Sequence, residues 1–443
     1  MQKITVYLLL TLLISCKSNQ FVTSDPFKQL NDKTQFTNIK IDEASAFLIG
    51  PCEPSIAINP KNPKNMVAGS VLDNAYYSFD SGHTWTKLKM VSNEFGVYGD
   101  PCIVSDFEGN FYYLHLANPD GKPHESTNFL NQMVIQKSSD GGITWNAGVG
   151  MGYNLPKQQD KEWAVVHLKT GQIYVTWTEF DKYGSDQKHH KSRIRFATSS
   201  DKGLTFSPAQ TISDIEGDAL DDDRTTEGAV PAVSNDGNIF VAWSIDNKIY
   251  FDSSFDNGKT WNKDVLIAQQ PEGWTQDIPG IGRCNGMPIT VVDNSKSAYQ
   301  GNIYVNWTDQ RNGKDNTDVF LIKSSDMGKT WSNPIQVNQD KTQTHQFFTW
   351  MTLDPITGYL YFIYYDRSQH TDNKTDVVLS VTKDGGDTFV SKIISESSFD
   401  PNPDCFFGDY NNISAYNGIV RPIWTRYEDG KLSVWTALIN FHH

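Results

Sequence analysis

The sequence predicts an all-β chain folded as a seven-bladed β-propeller, and three observations carry the prediction. An eight-residue motif, Ser/Thr-x-Asp-x-Gly-x-Thr-Trp/Phe, recurs six times, beginning at Ser78, Ser138, Ser199, Ser254, Ser324 and Thr382. Successive copies lie 55 to 70 residues apart, the length of one four-stranded blade. A second pattern, β-rich and often closing on an aromatic pair with a polar residue, recurs seven times, over Met66–Leu72, Phe111–Ala117, Ile173–Glu179, Ile239–Ile245, Ile303–Asp309, Leu360–Asp366 and Val420–Arg426. The last blade then has three strands, around Ile413, Trp424 and Val434, before the chain ends. The alternating stretch Gln35 to Ile41 supplies its fourth strand and covers the open edge.

Each motif copy reads as a turn. The carboxylate of Asp80 accepts hydrogen bonds from turn N–H groups, Gly82 takes a positive φ, and Trp85 fills space between sheets. Six copies around a ring cannot meet at one site, so these aspartates are structural. The turn joins third and fourth strands on the underside, which directs the search for function to the opposite face.

Ahead of the propeller, Lys3, an apolar run from Val6 to Ile14, and Leu13-Ile14-Ser15-Cys16 read as a lipoprotein export signal over 1–15. Cys16 is the expected lipidation site. Residues 16–34, polar and without periodicity, read as a tether, and 35–443 as the propeller. The expected location is the bacterial cell envelope, with the membrane met only through a lipid anchor in the outer membrane, facing unknown. Net charge is −14, from 38 Lys and Arg against 52 Asp and Glu, which argues against a nucleic-acid partner. A single copy is expected to suffice. Cys52, Cys102, Cys284 and Cys405 are an even number in an exported chain; of three possible pairings, Cys52–Cys102 with Cys284–Cys405 is preferred.

The six motifs are identified as Asp-boxes, the bacterial neuraminidase repeat, and residues 50–443 resemble the sialidase superfamily of β-propellers. Glu53-Pro54-Ser55-Ile56-Ala57, Asp160-Lys161-Glu162-Trp163, Gln346-Phe347-Phe348 and Gly408-Asp409-Tyr410 are similar to segments of sialidase-like exported proteins. Classical sialidases have six blades, the alternative to seven here. The resemblance implies glycan or glycoprotein as partner and glycosidase chemistry: three arginines on a substrate carboxylate, a tyrosine nucleophile assisted by a glutamate, and an aspartic acid/base. Arg283 or Arg311, Arg367, Tyr410 and Glu227 fall in the implied order. Residues 1 to 192 contain no arginine, so the first arginine of the triad has no counterpart and Glu53 stands near its place.

Polar groups on the loops between blades are Glu53, Asp100, Asp160 with Lys161 and Glu162, Arg224 with Glu227, Arg283 with Asn285, His345 with Gln346, and Asp409 with Tyr410. Second-strand ends add Glu179, Asp309, Asp366 and Arg426, where blades one, two and four have Leu72, Ala117 and Ile245, which biases polar function toward blades five to seven. The leading expectation is a glycoside hydrolase with its carboxylate pair among Glu227, Asp309, Asp366 and Asp409, and Tyr410 beside them. Arg224, Arg283, Arg311, His345, Arg367 and Arg426 are the candidate substrate-binding residues. A non-catalytic glycan- or protein-binding propeller, an exo-α-sialidase, and a polysaccharide lyase using His345 and Tyr410 are the alternatives. No cofactor is required; the acidic stretch Asp218 to Asp223 could hold calcium. Of the tryptophans outside motifs and strands, Trp274 is the candidate sugar platform.

Overall fold

The computed structural model describes residues 36–44 and 50–441. The export signal, the tether and Cys16 lie outside the described residues. Strands alone make up the regular structure of this part, arranged in seven sheets whose strands follow chain order from the central axis outward. Blade one runs Ser55–Ile58, Met66–Ser70, Asn74–Ser78 and Thr86–Lys89. The innermost strands of the next six are Cys102–Ser105, Gln158–Val166, Glu227–Val233, Ile289–Val292, Gln346–Leu353 and Asn412–Tyr416. All seven second strands stand where the repeated β-rich pattern puts them.

Blade seven is closed from the other end of the chain. Asn38–Glu43 lies antiparallel to Lys431–Ala437, with Asn38 opposite Ala437 and Glu43 opposite Ser433. The predicted closing segment began at Gln35 and stopped at Ile41; the observed strand runs two residues further. Side chains hold it on both sides. Asn38 Nδ2 donates to Ile394 O of blade six at 2.8 Å, and Asp42 accepts from Tyr76 Oη and Lys87 Nζ of blade one, both at 2.6 Å.

Neighbouring blades pack through their second strands, where Trp177, Trp243, Trp307 and Trp424 are fully buried. On the underside the repeated turns have one geometry. In the first, Thr84 N and Oγ1 donate to the two Asp80 oxygens at 2.9 and 2.6 Å, Ser78 Oγ donates to Asp80 Oδ1 at 2.8 Å, and Trp85 Nε1 donates to Gly82 O at 3.0 Å. The turn's glycine is required twice over. Gly142 has φ of +97°, and a Cβ there would stand 2.5 Å from Val67 of the preceding blade.

The preferred disulfide pairing is not formed. Cys52, Cys102 and Cys284 are buried thiols. Cys102 begins the inner strand of blade two beside Ala164, whereas Cys52 sits under the top face near Glu53 and Asp409, so the two do not meet. The Cys284 thiol instead faces Gln276 Oε1 at 3.7 Å. In this core cysteine serves as a small apolar residue.

Candidate functional site

Each inner strand starts at the rim of the central channel, and the chain must bend sharply there to enter the sheet. In blades one, two, three and six a side-chain-bearing residue takes the bend in the left-handed region: Glu53 (φ 51°), Asp100 (φ 50°), Lys161 (φ 53°) and Phe348 (φ 50°). Blade four uses Gly228 (φ 76°), where a Cβ would come within 2.8 Å of the Trp274 ring. Such backbone costs about 1 kcal/mol per residue for a non-glycine and is kept where a side chain must point a particular way. Here three of the four are ionisable and converge on the axis.

The convergence is an ion cluster spanning the ring. Lys161 Nζ of blade three donates to Asp409 Oδ2 of blade seven at 2.7 Å. Arg283, before blade five, reaches the same Asp409 oxygen at 2.8 Å and grips Asp221 at 2.7 and 3.2 Å. Tyr183 Oη and Trp274 Nε1 also donate to Asp221, at 2.7 and 3.3 Å. Glu53 accepts the Asp409 N–H at 3.0 Å, and Asn285 Nδ2 holds the Asp409 carbonyl at 3.1 Å. Lys161, Asp409 and Glu53 are all below a tenth exposed.

Two cations cannot neutralise this many carboxyls, and burial decides which stay protonated. Burial pushes Asp160 up to about 8, against the pull of Lys161. Burial also raises Asp100 and lifts Glu53, Glu162 and Glu227 well above the ordinary carboxyl range. Asp221 goes the other way: burial acts to raise it, but Lys161 and Arg283 outweigh burial and hold it low. The cluster thus sets carboxyls whose pKa burial raises around Asp221 and Asp409, which Lys161 and Arg283 hold.

A pocket of about 370 Å³ opens over this floor. Glu53, Asp100, Asp160, Lys161, Tyr183, Arg283 and Asp409 line its base, and Leu72, Tyr98, His124, Phe129 and Phe406 are among its wall residues. Tyr98 and Phe129 meet edge to face at 4.8 Å, with His124 packed on Phe129 at 4.7 Å. Beneath the floor Trp163, Trp350 and Tyr410 close the channel, Trp163 lying 4.3 Å from Trp350 and 4.9 Å from Tyr410.

Of the residues singled out from sequence, Asp409 and Arg283 line the pocket, and Glu227 is fully buried close to Asp221 and Lys161. Tyr410 packs in the aromatic plug, fully enclosed. The others stand apart in local pairs. Arg311 clamps Asp309, which also accepts Trp307 Nε1–H at 2.7 Å, and Arg311 lies over Phe320 at 4.3 Å. Arg367 stacks on Phe347 and donates to Thr375 Oγ1 at 3.1 Å, while Asp366 accepts from Ser368 N at 2.5 Å. His345 is held by Thr317 at 2.9 Å and its pKa is lowered to about 4 by burial and then by Arg367. Arg426 bonds Ser397 and Glu428, and Arg224 lies exposed against Asp218 and Asp222. Three arginines therefore do not converge, and the ionisable cluster is drawn from blades one to five and seven rather than five to seven. Trp274 is buried as a packing partner of Gly228, not presented as a platform. The acidic stretch is divided among Arg283, Arg224 and the N–H groups of Trp274 and Thr275, and among the described residues no cluster of metal-ligating side chains forms.

No protein-family model and no curated protein matches the chain. Solved structures are similar in fold. A protein of unknown function from Dyadobacter fermentans is 13% identical with a TM-score of 0.52, over 92% of this chain and 99% of that one. A polysaccharide lyase, an ulvan lyase bound to a GlcA(1-4)Rha3S saccharide, is 12% identical with a TM-score of 0.52, over 92% and 96%. The NanB sialidase from Streptococcus pneumoniae is 11% identical with a TM-score of 0.48, over 85% and 83%. At these identities the likeness is one of fold alone.

Proposed function

We propose that this protein is a glycan-cleaving enzyme of the glycoside-hydrolase type, working in the axial pocket. One observation carries the reading: two carboxyls of unlike surroundings, Asp160 and Asp409, line the same pocket. Asp160 is held protonated by burial, while Asp409 is held by Lys161 and Arg283 and keeps Oδ1 without a hydrogen-bond partner. Asp160 would donate its proton to the glycosidic oxygen as the C–O bond breaks, and Asp409 Oδ1 would accept a proton from the water that attacks the anomeric carbon. The net change is one water added across one glycosidic bond.

The repeated turns support placing the chain among Asp-box propellers of the sialidase-like type, and the Cys16 segment supports an exported, lipid-anchored protein that meets its glycan at the cell envelope. A polysaccharide-lyase reading would use the Tyr98 Oη contact with His124 Nε2, at 3.4 Å, as its proton-transfer pair. It also needs an unspent cation for a uronate carboxylate, and both pocket cations are engaged.

Mass spectrometry of products from a glycan panel tests the proposal. The expected products carry one added water, and Asp160→Asn and Asp409→Asn abolish them. Products bearing a double bond would install the lyase reading instead. Glycan binding without any product would reduce the site to a receptor.

A further inference from the structure

The pocket's charge balance points to a class of sugar, given the reading of this pocket as the glycan site. Four pocket residues are carboxyls, Glu53, Asp100, Asp160 and Asp409, against two cations, Lys161 and Arg283. Both cations are spent. Lys161 is 2.7 Å from Asp409, and Arg283 divides its guanidinium between Asp221 and Asp409 at 2.7 and 2.8 Å. A carboxylate or sulfate on an entering ring would compete with Asp221 and Asp409 for these cations, and could displace either. The displaced group would then be a buried, uncompensated anion. Burial raises the pKa of the remaining acids, Glu53, Asp100 and Asp160, which favours their hydrogen-bond-donating forms.

A second observation is independent of charge. Asp409 is 2% exposed, lines the pocket, and keeps Oδ1 unpartnered, which is an acceptor waiting for a donor from a ligand. Facing this floor is an apolar wall, Tyr98 against Phe129, with Leu72 and Phe406 exposed at the rim. A wall of this kind fits the C–H face of a pyranose, and the floor fits its hydroxyls.

We infer that the axial pocket takes an uncharged sugar ring, stacked against Tyr98 with a hydroxyl donated to Asp409 Oδ1, and rejects rings that bear a carboxylate or sulfate. The preference runs opposite to a site built on free arginines.

Matched pairs of 4-nitrophenyl glycosides test this on the intact protein, with binding by calorimetry and turnover by release of nitrophenol. The pairs are glucoside with glucuronide and galactoside with galacturonide, with a sialoside added. The neutral member is expected to bind or react at least roughly tenfold better than its acidic partner. Tyr98→Ala is expected to weaken the neutral ligand, which ties the signal to this pocket. Asp409→Asn frees donors on Lys161 and Arg283, so it should move the neutral-to-acidic ratio toward the acidic ring by roughly tenfold. Equal or better use of a glucuronide, galacturonide or sialoside by the unmodified protein overturns the inference while leaving a glycan enzyme standing. If none of the five is bound or cleaved, this inference and the glycan reading fall together. The unmodified protein alone decides between these outcomes, so an unfolded variant costs the test nothing.

Discussion

Lys161 and Asp409 reach across the propeller axis, from blades three and seven, to a contact of 2.7 Å with neither side chain as much as a tenth exposed. The bond ties together strands that are far apart in the chain and sets the floor of the pocket. Removing the cation alone should hurt more than removing both charges. Lys161→Met is expected to cost about 3 kcal/mol, because Asp409 then depends on Arg283 alone, and Lys161→Met with Asp409→Leu should recover part of that loss. Urea unfolding of the two variants measures it, and equal losses would show that the pair does not act as a unit.

Stability and activity should both fall on the alkaline side of neutrality. Asp160 and Asp252 have folded pKa values raised to about 8, so the folded chain holds protons that the unfolded chain releases near 3.8. Stability from these groups is present below the unfolded value and is lost as pH rises through about 8. His115 and His345, lowered from 6.5 to about 4, act in the opposite sense, and their contribution to the slope fades within about one unit above 6.5. From about pH 6.5 to 8.5 the melting temperature should therefore drop, and turnover should decline with it as Asp160 loses its proton. A flat profile across this range would contradict the buried-acid description.

The underside turns should matter for stability and not for the ligand. Asp384→Ala removes the carboxylate that accepts from Thr388 N at 2.9 Å, Thr388 Oγ1 at 2.5 Å and Thr382 Oγ1 at 2.8 Å. The expected loss is about 1–2 kcal/mol, read by denaturant titration, with ligand affinity unchanged. An equal effect on affinity would place function on the wrong face.

Removing residues 36–43 should leave the Lys431–Ala437 edge unpaired. Light scattering should then show concentration-dependent self-association, because an open edge recruits other strands. Asp42→Ala is the milder version. It frees Tyr76 and Lys87 and should lower the melting temperature without association.

The architecture was legible because a propeller repeats its physics. A turn that needs Asp, Gly and Thr in fixed order, and a second strand that needs a buried aromatic, print the same letters once per blade. The closing strand was legible from a missing partner, although its last two residues, Asp42 and Glu43, bind by a bulge that alternation does not reveal. The site was legible only in part. Asp409 and Arg283, which line the pocket, stand out in the sequence, whereas Glu53, Asp100, Asp160 and Lys161 read only as polar loop residues. Asp309 with Arg311 shows what a second-strand end can hide: an acid and a base two positions apart satisfy each other locally. Tyr98, His124 and Phe129 carried no repeat signal, since they come from irregular loops that only the ring brings together. The cysteines misled because their even number fits pairing, and burial of single thiols leaves no mark on the sequence.

The clasp between Asn38–Glu43 and Lys431–Ala437 also orders events during synthesis. The first described strand leaves the ribosome nearly four hundred residues before its partner, and it has no place to settle until the final blade emerges. Six blades can assemble while translation continues, but the circle locks only when the tail is free. A chain lacking the Lys431–Ala437 strand would hold an unclosed arc, ready for proteolysis or chaperone capture.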